Sequence, residues 1–449
     1  MEGRVVNLST DRQSNGLNES PLRRWYVRLE LVVLILAAPL LLAPDYFPVA
    51  TAGALLALGI VWLFSLYVLP PPPTPFNLVL LLWGIAILVG ILVSADPAET
   101  LPKATGLILG LGAWRLVVMT AISRKLIHWV MGLTIVIGLG FSFIGVFGLQ
   151  ELPKVPLLSQ INPFRPGSLP GLEGLVVHPN QLAGLITLFL PLLVSLLLAP
   201  PEGLASGRWR LIFLLATAWT GWILLLTQSR GGWIGAAAGL FALLGLWAWA
   251  LPKTPVRSVL RLTMGGLLIV AALIVIWIGP DKIWQLWADP PQETLVGTLT
   301  TLNFRKELWP WAVTAISDFP FTGVGLGAFR QVAFRLYPLT IPASFDIAHA
   351  HNLFLQTALD VGLPGLAIYG AMILVAAAVA WQVARSGPAY RAISLGILAG
   401  LAAHHVYGLA DALALGSKPG LVFWLLLGLL AAIRRVTPLP AGDVSPRQN

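Results

Sequence analysis

The sequence contains no cysteine and few charged residues. Cysteine is absent from the 449 residues, which excludes disulfide bonds, cysteine-ligated metal centres and thiol nucleophiles. Charged residues make up 10% of the chain, against roughly 25% in a typical soluble domain. Hydrophobic residues make up 57% and the mean hydropathy is +0.83, which excludes intrinsic disorder. The apolar runs also lack the two-residue alternation of a membrane barrel, so the composition predicts an all-α polytopic membrane protein.

Long apolar runs predict the membrane-spanning segments. A helix needs about 20 apolar residues to cross a hydrocarbon core about 30 Å thick. Gly362, Pro364 and Gly365 predict a bend in one span, because proline removes a backbone donor and clashes with the preceding turn. We expect one transmembrane catalytic domain over 27–435, between tails at 1–26 and 436–449. The twelve predicted spans are 27–43, 48–69, 76–94, 104–122, 127–148, 180–199, 209–227, 232–251, 259–279, 352–382, 390–411 and 419–434.

The distribution of lysine and arginine predicts the orientation. With the N-terminus placed in the cytoplasm, the cytoplasmic side carries 18 cations and 6 acids. The outer side carries the other 10 cations and 13 acids, so the net charge of +9 arises on the cytoplasmic side. This bias predicts that both termini are cytoplasmic, and it explains the basic charge without a nucleic-acid partner.

The two longest connections, about 149–179 and 280–351, both fall on the predicted outer face. Long loops on one side of a bundle are where a binding or catalytic site is usually built. The cytoplasmic side has no comparable loop, and the sequence has no GxxxxGK[ST] nucleotide motif. We therefore expect an outer-face site with no nucleotide and no other cofactor.

A first candidate segment, Ser229-Arg230-Gly231-Gly232, joins the seventh and eighth predicted spans. Arg230 would lie at the membrane–water boundary, where two glycines let the backbone approach a ligand closely. An arginine that only reaches for lipid phosphate is the alternative interpretation. Such an anchor does not need the glycine pair, so the pair favours a binding site.

A second candidate segment is an amphipathic helix predicted over 304–318 and rich in Trp and Phe. Arg305 would lie in its first turn, where the helix dipole disfavours a cation unless an anion compensates. A solvated helix face is the alternative interpretation. The following Gly323, Gly325 and Gly327 predict a tight turn rather than a nucleotide-binding loop, because no strand precedes them.

A third segment places His349 and His351 at the predicted start of the tenth span. Helical metal ligands prefer a spacing of three or four residues and no carboxylate cluster accompanies this pair, so no metal site is predicted. The positive end of the helix dipole favours the neutral imidazole that a general base requires. Capping or packing is the alternative role. In a helix, His349 would point away from the side occupied by His351.

In this order, the segments resemble motifs of the O-antigen ligase and polymerase superfamily. The resemblance covers roughly residues 170–430 and includes SRGG, the arginine that opens a Trp-rich helix, HNLFLQ followed by GLPG, and His178-Pro179-Asn180. A single motif of this kind is weak evidence, whereas four in order are more specific. Asp360 departs from the family pattern, where a glutamate is expected, so no catalytic role is assigned to it.

The resemblance implies a metal-independent glycosyltransferase on the outer face of the bacterial cytoplasmic (inner) membrane. Its donor is a glycan on undecaprenyl diphosphate, and in the ligase branch its acceptor is the glycolipid lipid A-core. Arg230 and Arg305 would bind the diphosphate, because a guanidinium stays charged and matches phosphate with two donors. His351 would take the proton of the acceptor hydroxyl. One base with a good leaving group predicts inversion at the anomeric carbon.

Further residues are candidates for supporting roles. Asp411 lies near the outer end of the eleventh predicted span, where a carboxylate is costly and often functional. The other supporting candidates are Arg330, His349, Asn352 and Arg165.

Other functions remain open at the level of sequence. A polymerase of the same superfamily would use a lipid-linked glycan as acceptor as well as donor, and a protein O-oligosaccharyltransferase would use a protein. A secondary transporter would account for twelve helices. Its binding residues are expected at the membrane midplane, however, and here the polar segments fall on one face.

Overall fold

The computed structural model describes residues 21–68, 70–149, 176–289, 300–341 and 347–438. Within these ranges the chain is nearly all helical, and its β-type pairing is an isolated parallel bridge between Leu149 and Val177. The predicted all-α class is confirmed. The helices are α1 (Pro21–Leu42), α2 (Pro48–Val68), α3 (Asn77–Leu92), α4 (Pro97–Thr120), α5 (Arg124–Phe147), α6 (Pro179–Leu198), α7 (Gly207–Leu226), α8 (Arg230–Ala250), α9 (Pro255–Ile278), α10 (Pro280–Ala288), α11 (Thr300–Asp318), α12 (Phe329–Leu336), α13 (Leu353–Ser386), α14 (Arg391–Gly408) and α15 (Leu421–Val436).

A helix stands at the position of each predicted span. In the described ranges, ten helices are long and apolar enough to cross a membrane. The other two, α3 and α14, have 16 and 18 residues. The number of spans and the cytoplasmic placement of the termini remain predictions. The predicted outer connection 280–351 contains α10, α11 and α12, whereas most of the connection 149–179 lies outside the described residues.

The core is built around α6 and α14, with α7, α8 and α13 packed about them, whereas α15 packs mainly on α4 and α5. Small residues set the distance between these helices. A Cβ atom added at Gly400 of α14 would lie 2.1 Å from the carbonyl oxygen of Leu188 in α6. One added at Gly239 of α8 would lie 2.4 Å from Cβ of Ala403 in α14. Close backbone approach through small residues is how membrane helices gain packing energy, and it fixes the helix ends that carry the candidate site.

A buried ion pair joins α1, α2 and α4. Arg115 Nε lies 2.8 Å from Glu30 Oε1, and Glu30 is 1% exposed. Arg115 Nη2 also donates to Ser65 Oγ at 2.8 Å, and Trp62 Nε1 donates to the same Glu30 oxygen at 3.2 Å. Charges within a helical membrane bundle are expensive unless they are paired, and this network supplies the partners.

The predicted bend in α13 is confirmed at Gly362, where φ is 74° and ψ is 176°. A Cβ atom there would lie 2.3 Å from the carbonyl oxygen of Phe321. At this break, backbone groups of α13 form hydrogen bonds with the loop before α12. Leu363 N of α13 donates to Pro320 O of the loop, and Val324 N of the loop donates to Leu359 O of α13, both at 2.8 Å. The kink therefore docks the long outer connection onto the bundle.

Replacing Gly362 with Ala is expected to destabilise the fold. The added methyl group would collide with the Phe321 carbonyl, and residue 362 has a positive φ that alanine rarely adopts. We therefore expect the free energy of unfolding to fall by about 1–3 kcal/mol. Gly370→Ala is the matched control in the same helix, because a Cβ atom there meets nothing within 4 Å. Thermal unfolding of the two purified variants measures the difference. Equal unfolding temperatures would contradict this account of the kink.

Candidate active site

Four segments of the chain meet at the carboxylate of Asp411, which is 3% exposed. Its Oδ1 atom lies 3.3 Å from His351 Nδ1 and 3.6 Å from His349 Nε2. Its Oδ2 atom lies 3.6 Å from Arg305 Nη2 and accepts a hydrogen bond from Asn180 Nδ2. One carboxylate therefore joins the start of α6, the helix α11, the loop before α13 and the loop after α14.

The end of α14 places Asp411. This helix ends at Gly408, earlier than the predicted limit of 411, so Asp411 lies in the following loop rather than in a span. Its backbone N–H still donates to Tyr407 O at 3.1 Å, and its Oδ1 accepts from Ala412 N at 2.8 Å. Tyr407 OH donates to Asn180 O at 2.7 Å, which ties α14 to the first turn of α6. These bonds fix the orientation of the carboxylate.

Both histidines lie in the loop before α13, not in the helix. The helix starts at Leu353, and Asn352 caps it by accepting hydrogen bonds from Phe354 N and Leu355 N at 3.0 Å. Asn352 Nδ2 also donates to Leu409 O at 3.0 Å. Because the loop is not helical, the expectation that His349 points away from His351 is wrong. The two rings lie 4.3 Å apart between centroids, and both approach Asp411.

The backbone is strained on both sides of the site. His351, at φ 49°, and Gln228, at φ 48°, are the non-glycine residues with positive φ in the described part of the chain. Gln228 stands two residues before Arg230, next to the first candidate segment. Such residues are uncommon and cluster where function demands a conformation that local preference opposes.

Arg305 occupies α11, but not its first turn. Because the helix already includes 300–303, Arg305 stands in the second turn and the dipole argument for an anion does not hold. The compensating anion is Asp411, and Arg305 Nε donates to Ala410 O at 2.8 Å. The neighbouring Phe304 packs edge-on against the His351 ring, with 5.4 Å between centroids. One turn of α11 thus supplies both a cation and a wall for the imidazole.

Arg230 is the first residue of α8. Ser229 caps the helix by accepting from Gly232 N at 3.3 Å, and the residues just before it are buried. A Cβ atom at Gly231 would lie 3.9 Å from that of Ala410, the residue whose carbonyl binds Arg305. The charges of Arg230 and Arg305 are close enough to interact. Two cations that repel each other at the edge of a buried site favour an anionic ligand.

The remaining predicted residues have other surroundings. Arg330 Nη1 lies 2.8 Å from Glu99 Oε1 at the start of α4, and both side chains are about one-third exposed. Asp360 accepts from Gly327 N at 2.9 Å and from Gln356 Nε2 at 2.8 Å, which is a structural role. Arg165 lies outside the described residues. The predicted tight turn is confirmed, since the three glycines at 323, 325 and 327 all have positive φ.

Burial and charge set the protonation of the site. Burial, followed by the charge of His351, lowers the pKa of His349 to about 3, against the opposing charge of Asp411. Burial alone would raise the pKa of Asp411. The approach of His351 Nδ1 to 3.3 Å and the charge of Arg305 outweigh burial, and they hold that pKa well below its usual range. At neutral pH the site therefore contains an ionised Asp411 and a neutral His349.

His349, His351 and Asp411 also offer ligand atoms within 4.8 Å of one another. The sequence did not show this carboxylate beside the histidines. The surroundings fit a metal ion poorly, however, because Arg305 Nη2 lies 3.6 Å from the same carboxylate and Asn180 occupies its Oδ2 atom. A guanidinium at that distance repels a divalent cation. The arrangement suits proton transfer better than metal binding.

Asn180, Tyr407 and Ala410 are the site residues that sequence reasoning missed. Asn180 follows His178, whose Nδ1 accepts a hydrogen bond from Asn180 N at 3.2 Å as a cap of α6. The His-Pro-Asn segment was recognised as a motif, and that was the available signal for Asn180. Ala410 contributes through its backbone carbonyl and Tyr407 through its hydroxyl group and its backbone carbonyl. No sequence motif indicates such contacts.

Comparison with known families agrees with the geometry. Residues 212–370 match the family model of the O-antigen ligases. That segment is similar to an O-antigen ligase domain. The match contains Arg230, Arg305 and both histidines, and it confirms the resemblance to the O-antigen ligase and polymerase superfamily, whereas Asn180 and Asp411 lie outside it. No curated protein matches the chain. The match favours a membrane enzyme of this superfamily over the transporter interpretation.

Replacing His349 with Asn is expected to reduce the acid sensitivity of the fold. Folded His349 titrates near pH 3 and an unfolded histidine near 6.5. Between these values the unfolded chain binds more protons than the folded protein does. The free energy of unfolding therefore decreases as the pH is lowered, by up to about 1.4 kcal/mol per pH unit. The variant lacks this loss.

The apparent unfolding temperature, measured from pH 7 to pH 4, should therefore fall less steeply in His349→Asn than in the parent. Asp411 adds acid sensitivity to both proteins only below about pH 4, since its pKa is lowered rather than raised. The groups that face His349 are His351, Asp411, Lys103 and His178, and the variant keeps all of them. Parallel curves would show that His349 is not buried in its neutral form.

Proposed function

We propose that the protein transfers a glycan from undecaprenyl diphosphate to an acceptor hydroxyl on the outer face of the bacterial cytoplasmic membrane. The observation that carries this proposal is that His351 and Arg305 meet at Asp411, with Arg230 close enough for its charge to act on Arg305. A base and two cations are what such a transfer needs, and three of these four residues lie within the segment that is similar to an O-antigen ligase domain.

His351 is the proposed general base. The ionised Asp411 lies 3.3 Å from His351 Nδ1, so it favours the tautomer that carries its proton on that nitrogen. The Nε2 atom then accepts the proton of the acceptor hydroxyl. Its oxygen attacks the anomeric carbon while the bond from that carbon to the diphosphate oxygen breaks, and the electron pair leaves with the diphosphate. A single displacement of this kind inverts the anomeric configuration.

Arg230 and Arg305 are proposed to bind the diphosphate and stabilise it as it leaves. Guanidinium groups stay protonated and match phosphate oxygens with paired donors. Arg305 pairs with Asp411, and the charge of Arg230 acts on Arg305. Two cations beside one ionised carboxylate leave a net positive charge that an anionic donor neutralises. Because diphosphate is already a good leaving group, the paired carboxylates of glycosidases are not needed.

A lateral groove offers a path for a lipid substrate. Its volume is about 450 Å³, and it lies between α1, α4, α5 and α6, with apolar walls that include Leu41, Phe141 and Leu182. Lys103 and Lys418 also line it, and the charge of Lys103 acts on His349. A groove with apolar walls and cations near the site suits a polyprenyl chain whose phosphates reach the arginines.

No metal ion is proposed to take part, since Arg305 occupies the place where a cation would neutralise Asp411. Transfer by purified protein should continue in EDTA. Loss of activity that one metal restores would contradict this part of the mechanism.

We propose the ligase branch, with lipid A-core as acceptor, as the first candidate. A polymerase would extend one lipid-linked glycan with another, using the same base and cations. Surface glycans of a deletion strain distinguish the two. Absence of glycan on the lipid A-core with long lipid-linked chains retained supports a ligase, whereas short chains still joined to the acceptor support a polymerase.

Replacing His351 with Ala is expected to lower turnover by about 10²–10⁴-fold, the usual worth of general-base assistance, with donor binding nearly unchanged. Replacing Arg230 or Arg305 with Ala should weaken donor binding and turnover together. Lysine at either position should restore only part of the donor binding and turnover, because an ammonium group lacks the paired donors of a guanidinium. Transfer assays with purified protein and a lipid-linked donor, together with donor-binding measurements, test these outcomes.

His128→Ala is the matched histidine control, since His128 lies near the start of α5, at the other end of the bundle. It should keep full turnover. His349→Ala would not be a neutral control, because that ring contacts Asp411. A His351→Ala protein with most of its turnover would remove His351 from the mechanism.

A further inference from the structure

A basic cavity lies at the end of the bundle opposite the candidate active site. The helix α8 runs from Arg230 at the site to Trp249 at this far end. The cavity has a volume of about 550 Å³, and its lining, in the described part of the chain, contains no acidic residue. The charged and aromatic residues that line it are Trp249, Arg257, Trp381, Arg385 and Arg391.

The arginines of this cavity are held by aromatic rings and backbone rather than by acids. The Arg385 guanidinium lies 6.0 Å from the centre of the Trp381 ring, and Arg391 Nε donates to Ala384 O at 2.9 Å. Arg257 Nε is buried and has no hydrogen-bond partner among the described residues. A buried guanidinium donor without a partner is costly, and three arginines together repel one another. Both costs fall when an anion with several acceptor oxygens binds.

An apolar groove continues from the same cavity. It has a volume of about 710 Å³ and shares Trp249 and Trp381 with the basic cavity. Small residues of α8, α13 and α14 leave the space open, among them Gly245 and Ala378. The neighbouring α9 packs chiefly on α8, and no described residue of α9 lines the groove, although a Cβ atom at Gly245 would lie 3.1 Å from Met264 Sδ of α9.

We propose that the two cavities together bind one anionic phospholipid, with its phosphate on the arginines and an acyl chain in the groove. A basic cavity alone would suit any phosphate, but the continuous apolar groove selects a lipid. Tryptophan rings between the two parts match the boundary between headgroup and acyl chain, where such rings are enriched. The absence of acids favours an anionic headgroup over a zwitterionic one, which brings its own cation. Basic pockets between membrane helices bind anionic headgroups in this way.

Native mass spectrometry of the purified full chain, titrated with phosphatidylglycerol, tests the proposal. We expect one tightly retained lipid, and weaker retention of phosphatidylcholine with the same acyl chains. The double variant Arg257→Gln and Arg385→Gln should weaken phosphatidylglycerol binding by roughly thirtyfold, which corresponds to about 2 kcal/mol for two interfacial cations. Ala378→Leu, which fills the groove and leaves the arginines in place, should also weaken it.

Arg208→Gln is the matched control, because Arg208 also lies over a tryptophan ring, 5.6 Å from the centre of Trp209, but does not line either cavity. It should retain the lipid as the parent does. Three outcomes would overturn the proposal: equal weakening by Arg208→Gln, equal retention of phosphatidylcholine, or displacement of the lipid by millimolar inorganic phosphate with no effect of Ala378→Leu. The last outcome would identify a soluble phosphate as the occupant. The assay reads binding alone, so it is independent of the glycan-transfer proposal.

Discussion

The buried carboxylate of Asp411 is the interaction on which the site depends. Removing a carboxylate from water costs several kcal/mol unless charges and donors compensate. Here Arg305, Asn180 and two histidines provide the compensation, and they come from three separate segments of the chain. Since the carboxylate needs them all, it also fixes where they stand relative to one another. The proposed base and one proposed phosphate ligand acquire their geometry from this one group.

The packing of the bundle makes that arrangement possible. Glycine contacts bring α14 against α6 and α8, so the loop after α14 meets the first residues of both helices. The kink at Gly362 lets the outer connection dock by backbone hydrogen bonds, and this connection includes α11 with Arg305. His351 and Gln228 both adopt positive φ in the loops that flank this site. Close helix packing and strained loop residues thus occur together around the candidate active site.

The sequence predicts the elements of this structure better than their meeting point. Apolar runs predict the helices because each must satisfy its own backbone in a membrane, and Gly362 predicts the bend for a local steric reason. The bond between Asn180 and Asp411 spans 231 residues, and no local pattern encodes it. The sequence suggests that the two histidines open a helix, whereas the helix begins only at Leu353 and the capping Asn352 ends the loop that holds them. For the same reason the sequence could suggest His351 as a base but not its carboxylate partner.

Turnover of the Asp411→Asn protein is the most direct test of this account. Asparagine keeps the size and the backbone contact but lacks the charge that holds Arg305 and favours one tautomer of His351. The account predicts a loss of turnover of about 10²-fold or more, comparable to the loss of the base itself, in a protein that is still folded. Unchanged thermal unfolding together with near-parental turnover would contradict it, because the site would then assemble and react without its central carboxylate.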